Sequence, residues 1–276
     1  MRLVHLSDTH FGTEIDTIVR ALIQTINMQE PDIVILSGDI TQRARSNQFQ
    51  AALDFMSQIS CPKKIAVPGN HDIPLYTFTR FMWPYRNYCH AFGDREQIFS
   101  YKNVTLIGLD ATSPYRHTDG KLLARHAAYL KDTLRLSNQD NQIRIVICHQ
   151  PLATAWKKDS SEVLLDSEKA AMLLSDAKID LFLSGHVHVP LAVTTATAFP
   201  ELKYHFILGG AGTATSWRTR PKTPNSFNVI DLPPSCVPSK IILTRYDYQY
   251  SDHRFEVSDQ VAFTQRISGW VNERDF

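Results

Sequence analysis

Short apolar runs alternate, in the first part of the chain, with longer segments whose apolar positions recur at helical spacing. The runs "RLVHL", "DIVILSGD" and "KKIAVPGN" have the length and apolar content of buried strands. Between them, residues 16–28 and 46–58 carry apolar side chains every three or four positions, as at Ile18, Leu22 and Ile26, which predicts amphipathic helices. Strands and helices in this alternating order are typical of parallel βαβ units with right-handed crossovers.

The alternation continues to about residue 188 and then changes. "VTLIGLD", "IRIVICH" and "IDLFLSGHVH" predict three more strands, with helices near 124–134 and 166–176. From about residue 200 onward, "YHFILGG", "SFNVIDL", "KIILTRYDYQY" and "HRFEVSD" are strand-like, with Asp252 in a hairpin turn. We predict an α/β protein in which the C-terminal part, about 200–276, completes a second sheet and forms an antiparallel hairpin. No break in composition divides the chain, so 1–276 is interpreted as one domain.

The composition narrows the class of protein. The chain of 276 residues has 29 Lys and Arg against 28 Asp and Glu, so no overall field draws it to nucleic acid or an anionic membrane. No apolar run approaches the roughly 20 residues of a membrane span, and the N-terminus enters a strand without a signal-peptide pattern. The four cysteines form no CxxC pair, which suits a reducing compartment. These features predict a soluble, cytoplasmic protein.

Polar side chains stand at or just beyond the carboxyl end of five predicted strands. They are Asp8, Asp39, Asn70, His149 and His186. Open α/β sheets place their ligand sites at this edge, so these side chains should converge. His10 and His188 come two positions after the first and the last of them, and strand alternation should point them to the same side. By the same alternation Cys148 should point away from its neighbour and into the core.

Two carboxylates, one amide and four imidazoles form a donor set for divalent metal ions. Oxygen and nitrogen ligands without thiolate suit manganese, iron, zinc and similar ions. Seven ligands are too many for one tetrahedral ion and fit two ions that share a carboxylate. A single histidine at a strand end is more often structural than a ligand, but five such positions at one sheet edge are hard to explain that way. Paired metals about 3.5 to 4 Å apart are the usual arrangement for displacement at phosphorus.

Five short blocks occur in order along the chain: "SDTH" (7–10), "SGDIT" (37–41), "GNHD" (69–72), "CHQP" (148–151) and "SGHVH" (184–188). Together they resemble the calcineurin-like metallophosphoesterase superfamily, and most of all its bacterial class III cyclic-nucleotide phosphodiesterases and glycerophosphodiesterases. Each block by itself is common in proteins, whereas all five in this order are specific for the superfamily. The resemblance implies a four-layer α/β/β/α sandwich with two mixed sheets.

The resemblance also implies a role for each residue of the blocks. His71 would contact the transferred phosphoryl group or protonate the leaving oxygen, and Asp72 would help to orient the site. The implied reaction is hydrolysis of a small-molecule phosphodiester, first of all a 3',5'-cyclic nucleotide, by in-line attack of a metal-bound hydroxide. One metal ion would be held by Asp8, His10, Asp39 and His188, and the other by Asp39, Asn70, His149 and His186.

Four alternatives to this function differ in how well they fit. A protein Ser/Thr phosphatase of the superfamily would carry GDxVDRG and GNHE, whereas this chain has "GDITQR" and "GNHD". A nuclease would be expected to show a basic groove, which the near-zero net charge disfavours. A nucleotide-lipid pyrophosphatase of the UDP-diacylglucosamine type stays open. A catalytically silent scaffold would have lost ligands, and here every ligand position is filled.

Two further segments keep more than one interpretation. The aromatic stretch "YTFTRFMWPYRNYCHAF" (76–92) can belong to the core, form a wall or lid of the substrate pocket, or form the surface of a homodimer. The stretch "GGAGTATSWRTR" (209–220) lacks the Lys-Ser/Thr of a P-loop, so we expect a turn-rich loop near the site. Its Arg218 and Arg220 are candidates for contacting the substrate.

Overall fold

The computed structural model describes residues 1–75, 77–136, 142–233 and 240–275. The helices in these ranges are α1 (Asp16–Met28), α2 (Ser46–Ser57), α3 (Thr79–Met82), α4 (Arg86–Phe92), α5 (Ala124–Leu136) and α6 (Ser167–Asp176). The strands are β1 (Arg2–Leu6), β2 (Ile33–Ser37), β3 (Lys63–Val67), β4 (Gln97–Tyr101), β5 (Val104–Gly108), β6 (Ile143–Ile147), β7 (Leu181–Ser184), β8 (Leu191–Thr194), β9 (Ile207–Gly210), β10 (Ser226–Asp231), β11 (Lys240–Gln249), β12 (Arg254–Arg266) and β13 (Gly269–Asn272). The four predicted helices agree with α1, α2, α5 and α6 to within two residues at each end.

The strands form two mixed sheets. The first has the order β13-β12-β11-β10-β1-β2-β3, with β1, β2 and β3 parallel and β10 antiparallel to β1. The second has the order β4-β5-β6-β7-β9-β8, with β5, β6, β7 and β9 parallel and antiparallel strands at both edges. Parallel neighbours run in the same direction, so their carboxyl ends lie at one edge of each sheet.

Strand alternation divides the apolar side chains among three layers of core. Val4 of β1 faces outward and packs with helices α1 and α2, while Leu3 faces inward. The inward side chains of both sheets, such as Leu3 and Ile145, form a central core between the sheets. On the outer face of the second sheet, Val146 packs with Leu130 of α5 and Leu174 of α6. This confirms the predicted four-layer α/β/β/α sandwich, and full burial of each such side chain stabilises it by about 1.5–3 kcal/mol.

The prediction for the C-terminal strands was partly wrong. β9 joins the second sheet as expected, but β10 to β13 extend the first sheet, where Val229 pairs with Val4 of β1. The predicted hairpin is present, because the turn at 250–253 joins β11 to the antiparallel β12. The alternating pattern identifies a strand but contains no information about which open sheet edge the strand joins.

The aromatic segment 76–92 is not one structural unit. Tyr88 is fully buried, and its hydroxyl donates a hydrogen bond of 2.9 Å to the Ala66 carbonyl oxygen. Phe78, Phe81 and Trp83 are instead 76%, 54% and 57% exposed, so the core interpretation is wrong for them. Position 76 lies outside the described residues.

The predicted core position of Cys148 is confirmed. Its side chain is buried and packs among the apolar residues on the outer face of the second sheet. In the ranges that the structure describes, no helix has both the length and the apolar character needed to cross a bilayer.

Candidate metal centre

The seven predicted ligands converge at the carboxyl-terminal edge of the parallel strands, where the two sheets face each other. Six of them are buried, and His186 is half-buried. Asp8 and His10 follow β1, Asp39 follows β2, Asn70 follows β3, His149 follows β6, and His186 and His188 follow β7. The first sheet therefore supplies four of these residues and the second sheet three, so the site requires both sheets.

Five of these seven residues have a left-handed backbone conformation. Non-glycine residues adopt positive φ angles infrequently, and each costs about 1–3 kcal/mol unless its surroundings support it. The φ angles are 52° at Asp8, 45° at His10, 48° at Asp39, 72° at His186 and 58° at His188. Each of these loops turns sharply as it leaves its strand, and the turn directs the side chain to a common point. Such clustering of strained conformations is characteristic of functional sites.

Two glycines allow these loops to come close together. Gly38 has a φ of +89°, and a β-carbon there would lie 2.6 Å from the ring Nδ1 of His149. At Gly185 a β-carbon would collide with the side chains of Ser7 and Asp8. The absence of a side chain at these two glycines therefore allows a close backbone approach, which brings loops from the two sheets into contact.

Asp8, His10 and His188 form the first group of converging polar atoms. The Nδ1 of His188 donates a hydrogen bond of 2.6 Å to the Arg218 carbonyl oxygen, which leaves its Nε2 as the lone-pair nitrogen of a neutral ring. That Nε2 lies 3.1 Å from Asp8 Oδ1 and 3.1 Å from the Nε2 of His10. Ligand atoms of all three residues lie within 4.8 Å of one another, so they could hold one metal ion.

Asp39, His149 and His186 form the second group, and their ligand atoms also lie within 4.8 Å of one another. The Nδ1 of His149 donates to the Ser37 carbonyl oxygen at 2.9 Å, so in the neutral ring Nε2 carries the lone pair. That Nε2 lies 3.3 Å from Asp39 Oδ1 and 3.2 Å from the Nδ1 of His186. The other ring nitrogen of His186 lies 3.3 Å from Glu162 Oε2. Metal-binding histidines are usually oriented by a carbonyl or carboxylate oxygen that accepts a hydrogen bond from the ring nitrogen that does not bind the metal.

The arrangement of these atoms fits two cations. Lone pairs of carboxylates and imidazoles that face each other at about 3 Å repel unless positive charge lies between them. Asp39 of the second group also lies beside the first, since its Oδ1 faces His149 and its Oδ2 lies 3.7 Å from the Nε2 of His10. Asp8 Oδ1 and Asn70 Oδ1 are buried and have no hydrogen-bond partner among the described residues. Unsatisfied buried oxygen atoms of this kind are explained by an ion that they coordinate.

The electrostatics of the site also favour positive charge. Burial alone would raise the pKa of Asp8, but the imidazoles of His188 and His10 outweigh it and hold that pKa well below its usual range. Burial would lower the pKa of His149, but Asp39 outweighs it and raises that pKa to about 9. For His10 burial dominates instead, and it lowers the pKa to about 4. The two carboxylates thus create a field that stabilises cations.

His71 lies beside the metal ligands and lines the cavity. Its backbone N–H donates to Asp39 Oδ1 at 2.8 Å, and its Nδ1 donates to the Gln42 carbonyl oxygen at 3.0 Å. Its Nε2 lies 3.3 Å from Nη1 of Arg218, and its ring meets that of His10 edge-on at 4.9 Å. Burial lowers the pKa of His71, so the neutral ring is favoured. His71 also forms a third group of potential metal ligands with His10 and Asp39.

Asp72 has a different position from His71 and does not line the cavity. Its buried carboxylate accepts hydrogen bonds from the backbone N–H groups of Ile40, Thr41 and Gly69 and from the Thr41 hydroxyl, at 2.8–3.1 Å. Burial and the nearby Asp39 raise the pKa of Asp72 to about 7. This carboxylate ties the loop after β2 to the loop after β3.

A cavity of about 440 Å³ opens above the ligands. Its lining includes Asp159 and Glu162 from one stretch of the chain and Trp217, Arg218 and Arg220 from another. Arg220 forms an ion pair with Asp159. The sequence indicated the two arginines but not Glu162, because one glutamate in a polar stretch has no distinguishing pattern. The carbonyl oxygens that orient the histidines were also missed, since every residue has one.

Sequence comparison shows which known proteins the chain resembles. The calcineurin-like phosphoesterase family matches residues 1–190. A probable cyclic nucleotide phosphodiesterase of Synechococcus is 24% identical over 200 residues, which cover 68% of this chain and 73% of that protein. A glycerophosphodiester phosphodiesterase of Enterobacter lignolyticus is 28% identical over 166 residues, 55% of this chain and 57% of that protein.

Two solved structures share the fold. A purple acid phosphatase from yellow lupin seeds superposes with a TM-score of 0.66 at 13% identity, over 97% of this chain and 54% of the lupin chain. A dimetal phosphatase from Danio rerio superposes with a TM-score of 0.61 at 14% identity, over 88% of this chain and 95% of that chain. This chain thus spans about half of the lupin enzyme and nearly all of the fish enzyme.

Proposed function

Because this chain belongs to the calcineurin-like phosphoesterase family, it is a metal-dependent phosphoester hydrolase, and we propose that its substrates are phosphodiesters, with 3',5'-cyclic nucleotides as the first candidates. The observation that carries this proposal is the pair of ligand groups at the floor of an open cavity, with Asp39 of the second group 3.7 Å from His10 of the first. Such a pair suits displacement at phosphorus, in which attacking and leaving oxygens both need stabilisation.

The proposed dinuclear centre uses all seven predicted residues. When bound, two divalent ions would stabilise charge on the phosphoryl oxygens and lower the pKa of a coordinated water. Manganese, iron and zinc all fit nitrogen and oxygen donors without thiolate. In the proposed partition, one ion contacts Asp8, His10, Asp39 and His188, and the other contacts Asp39, Asn70, His149 and His186.

The residues around the centre orient it and act on the substrate. Ser37 and Arg218 hold the tautomers of His149 and His188 through their carbonyl oxygens, so that Nε2 of each ring is free to bind metal. His71 faces the cavity, where it can donate to a phosphoryl oxygen or to the departing alcohol once its Nε2 carries a proton. Asp72 holds the loop after β2 and the loop after β3 together through its hydrogen bonds.

The proposal of a diester substrate rests on several observations. The Synechococcus and Enterobacter relatives are both named as phosphodiesterases. Glu162 adds a carboxylate to the cavity wall next to His186, and this negative charge disfavours a dianionic monoester more than a monoanionic diester. The block "GNHD" also differs from the GNHE of the superfamily's protein phosphatases.

A second candidate function is hydrolysis of a nucleotide-lipid pyrophosphate. It is favoured by the exposed Phe78, Phe81 and Trp83 of the aromatic segment 76–92, which would suit a lipid-bearing substrate. This alternative uses the same metal centre and the same leaving-group chemistry, so only the substrate distinguishes it.

A hydrolysis panel with the metal-loaded protein tests the proposal. The panel contains cyclic nucleotides, glycerophosphodiesters, a nucleotide-sugar lipid, and matched aryl diesters and monoesters, each with manganese, iron or zinc. We expect kcat/KM for the diesters to exceed that for the matched monoesters, with a cyclic nucleotide among the best substrates. A higher kcat/KM for monoesters would show that the enzyme is a phosphatase, and a preference for the nucleotide-sugar lipid would favour the second candidate.

A further inference from the structure

One wall of the cavity comes from outside the part of the chain that matches the family. The loop 211–225 connects β9 to β10, whereas the family match ends at residue 190. Backbone hydrogen bonds fix this loop to the loop that carries Asp8 and His10, from Ala214 N to Ser7 O at 3.1 Å and from Trp217 N to Thr13 O at 3.2 Å. The side chains of this wall therefore have a defined position relative to the metal ligands.

Arg218 has three contacts that place it at the reaction centre. Its carbonyl oxygen accepts the hydrogen bond from His188 that sets the tautomer of this ligand. Its Nη1 donates to Gln42 Oε1 at 2.9 Å and lies 3.3 Å from Nε2 of His71. Because the Nδ1 of His71 already donates to a carbonyl oxygen, the Nε2 is the acceptor in this contact. Arg218 thus holds the ring of His71, which lines the same cavity.

The guanidinium of Arg218 has N–H groups that are available to a ligand. It is half-buried and lines the cavity, and among the described residues no hydrogen bond satisfies its Nε or Nη2. Arg220 on the same wall differs, because Asp159 already pairs with it. A planar guanidinium with free N–H groups is suited to two hydrogen bonds with a phosphoryl group.

Trp217 is next to this cation and lines the same cavity with 65% of its surface exposed. Its backbone N–H donates a hydrogen bond to Thr13, whereas its side chain is exposed to solvent at the cavity. An exposed aromatic ring beside a phosphate-binding cation suits a planar nucleobase, which stacks on it without needing specific hydrogen bonds.

We propose that Trp217 and Arg218 form the substrate-recognition element of this enzyme. Arg218 binds a non-bridging oxygen of the phosphodiester through its free N–H groups, and Trp217 stacks on the base of a nucleotide ester. The identity of the substrate in this inference rests on the proposed function. The binding of a phosphoryl group by Arg218 does not depend on that function.

The test of Arg218 uses inorganic phosphate as a probe that binds the metal-loaded protein without turnover. In Arg218→Gln the carbonyl oxygen stays, so metal content should equal that of the wild type, while the Kd for phosphate rises about 10- to 100-fold. Arg218→Lys should recover part of this loss, since it restores the charge but not the planar fork. Arg125→Gln is the matched control, because this arginine is on α5, pairs with Glu96 and does not line the cavity.

The outcomes separate this inference from the proposed function. Unchanged phosphate affinity in Arg218→Gln at full metal content would overturn the role of Arg218. Loss of metal in both Arg218→Gln and Arg218→Lys would also overturn it, since the side chain would then only support the structure. If the wild type cleaves no diester, the proposed function fails, and the phosphate titration still decides the role of Arg218.

Discussion

Residues 1–190 and residues 191–276 contribute to one cavity in different ways. The first region supplies short, buried side chains at the ends of strands, five of them on a strained left-handed backbone. The second region supplies Trp217 and Arg218, which are longer, at least partly exposed and carried by a loop. Rigid strand ends can position atoms for metal binding, whereas a loop can vary without disturbing the centre. The comparison agrees with the two proposals made above, metal binding by the first region and substrate recognition by the second.

The two regions also differ in charge. The first region offers carboxylates and imidazoles, and the net field favours cations, as the raised pKa of His149 at about 9 indicates. The second region offers the guanidinium groups of Arg218 and Arg220. Arg220 pairs with the carboxylate of Asp159, whereas Arg218 has no carboxylate partner among the described residues. Substitutions of the proposed metal ligands in the first region should therefore change metal binding and all activity, and substitutions of Trp217 and Arg218 in the second should change the binding of the substrate.

The largest effect is expected for Asp39→Ala. This carboxylate faces His10 of the first ligand group and His149 of the second, so its loss should lower metal content at both sites and reduce kcat/KM for every substrate by about 10³-fold or more. Elemental analysis after gel filtration and a diester assay measure the two quantities. Full content of two ions per chain in Asp39→Ala would rule out the shared carboxylate.

The next largest effect is expected for His71→Ala, which tests whether every residue of the first region acts through metal. We expect metal content to stay unchanged while the rate on an alkyl diester or cyclic nucleotide falls about 10²- to 10⁴-fold, the range for general acid catalysis. A nitrophenyl diester has a good leaving group and should lose much less. His149→Ala is the contrast, because it should lose metal and slow all substrates alike. An equal loss on both substrate types in His71→Ala would show that His71 positions phosphate or binds metal.

A smaller effect is expected for Glu162→Ala, which removes the carboxylate 3.3 Å from His186 Nε2. We expect about tenfold weaker binding of one of the two metal ions, because the orientation of His186 is no longer fixed. Glu162→Gln keeps an acceptor oxygen and should retain most of the affinity. Titration calorimetry of the metal-free variants provides the measurement, and equal metal affinity in Glu162→Ala and wild type would exclude an orienting role.

The smallest effect is expected for Trp217→Ala in the second region. Loss of stacking should raise KM for a cyclic nucleotide about fivefold, the lower end of the range for base–aromatic contacts. Metal content and kcat/KM for glycerophosphodiesters, which have no base, should not change. Trp83→Ala is the control, since Trp83 is also exposed but does not line the cavity. A similar rise in KM for both substrate classes would contradict the base-stacking role.

Much of the site could be predicted from sequence because its determinants are local. A ligand directly after an apolar run, such as Asp8 or Asp39, is placed by the strand itself, and parallel strands bring such positions to one edge. The same logic correctly placed Cys148 in the core. The split of the aromatic segment into the buried Tyr88 and the exposed Phe78 was not predictable, because burial there depends on which loop folds over it.

By itself, the sequence determined the α/β alternation, four of the helices, the order of the motif blocks and the residue types that converge on the metal centre. These features depend on periodicity and on residues close together in the chain. The tertiary structure decided that β10 to β13 join the first sheet, that Glu162 faces His186, and that the Arg218 carbonyl orients His188. Each of these joins residues far apart in the chain, and a backbone carbonyl or an open sheet edge has no residue-specific signature. Their physical basis is hydrogen bonding and close approach in three dimensions, which the one-dimensional pattern does not contain.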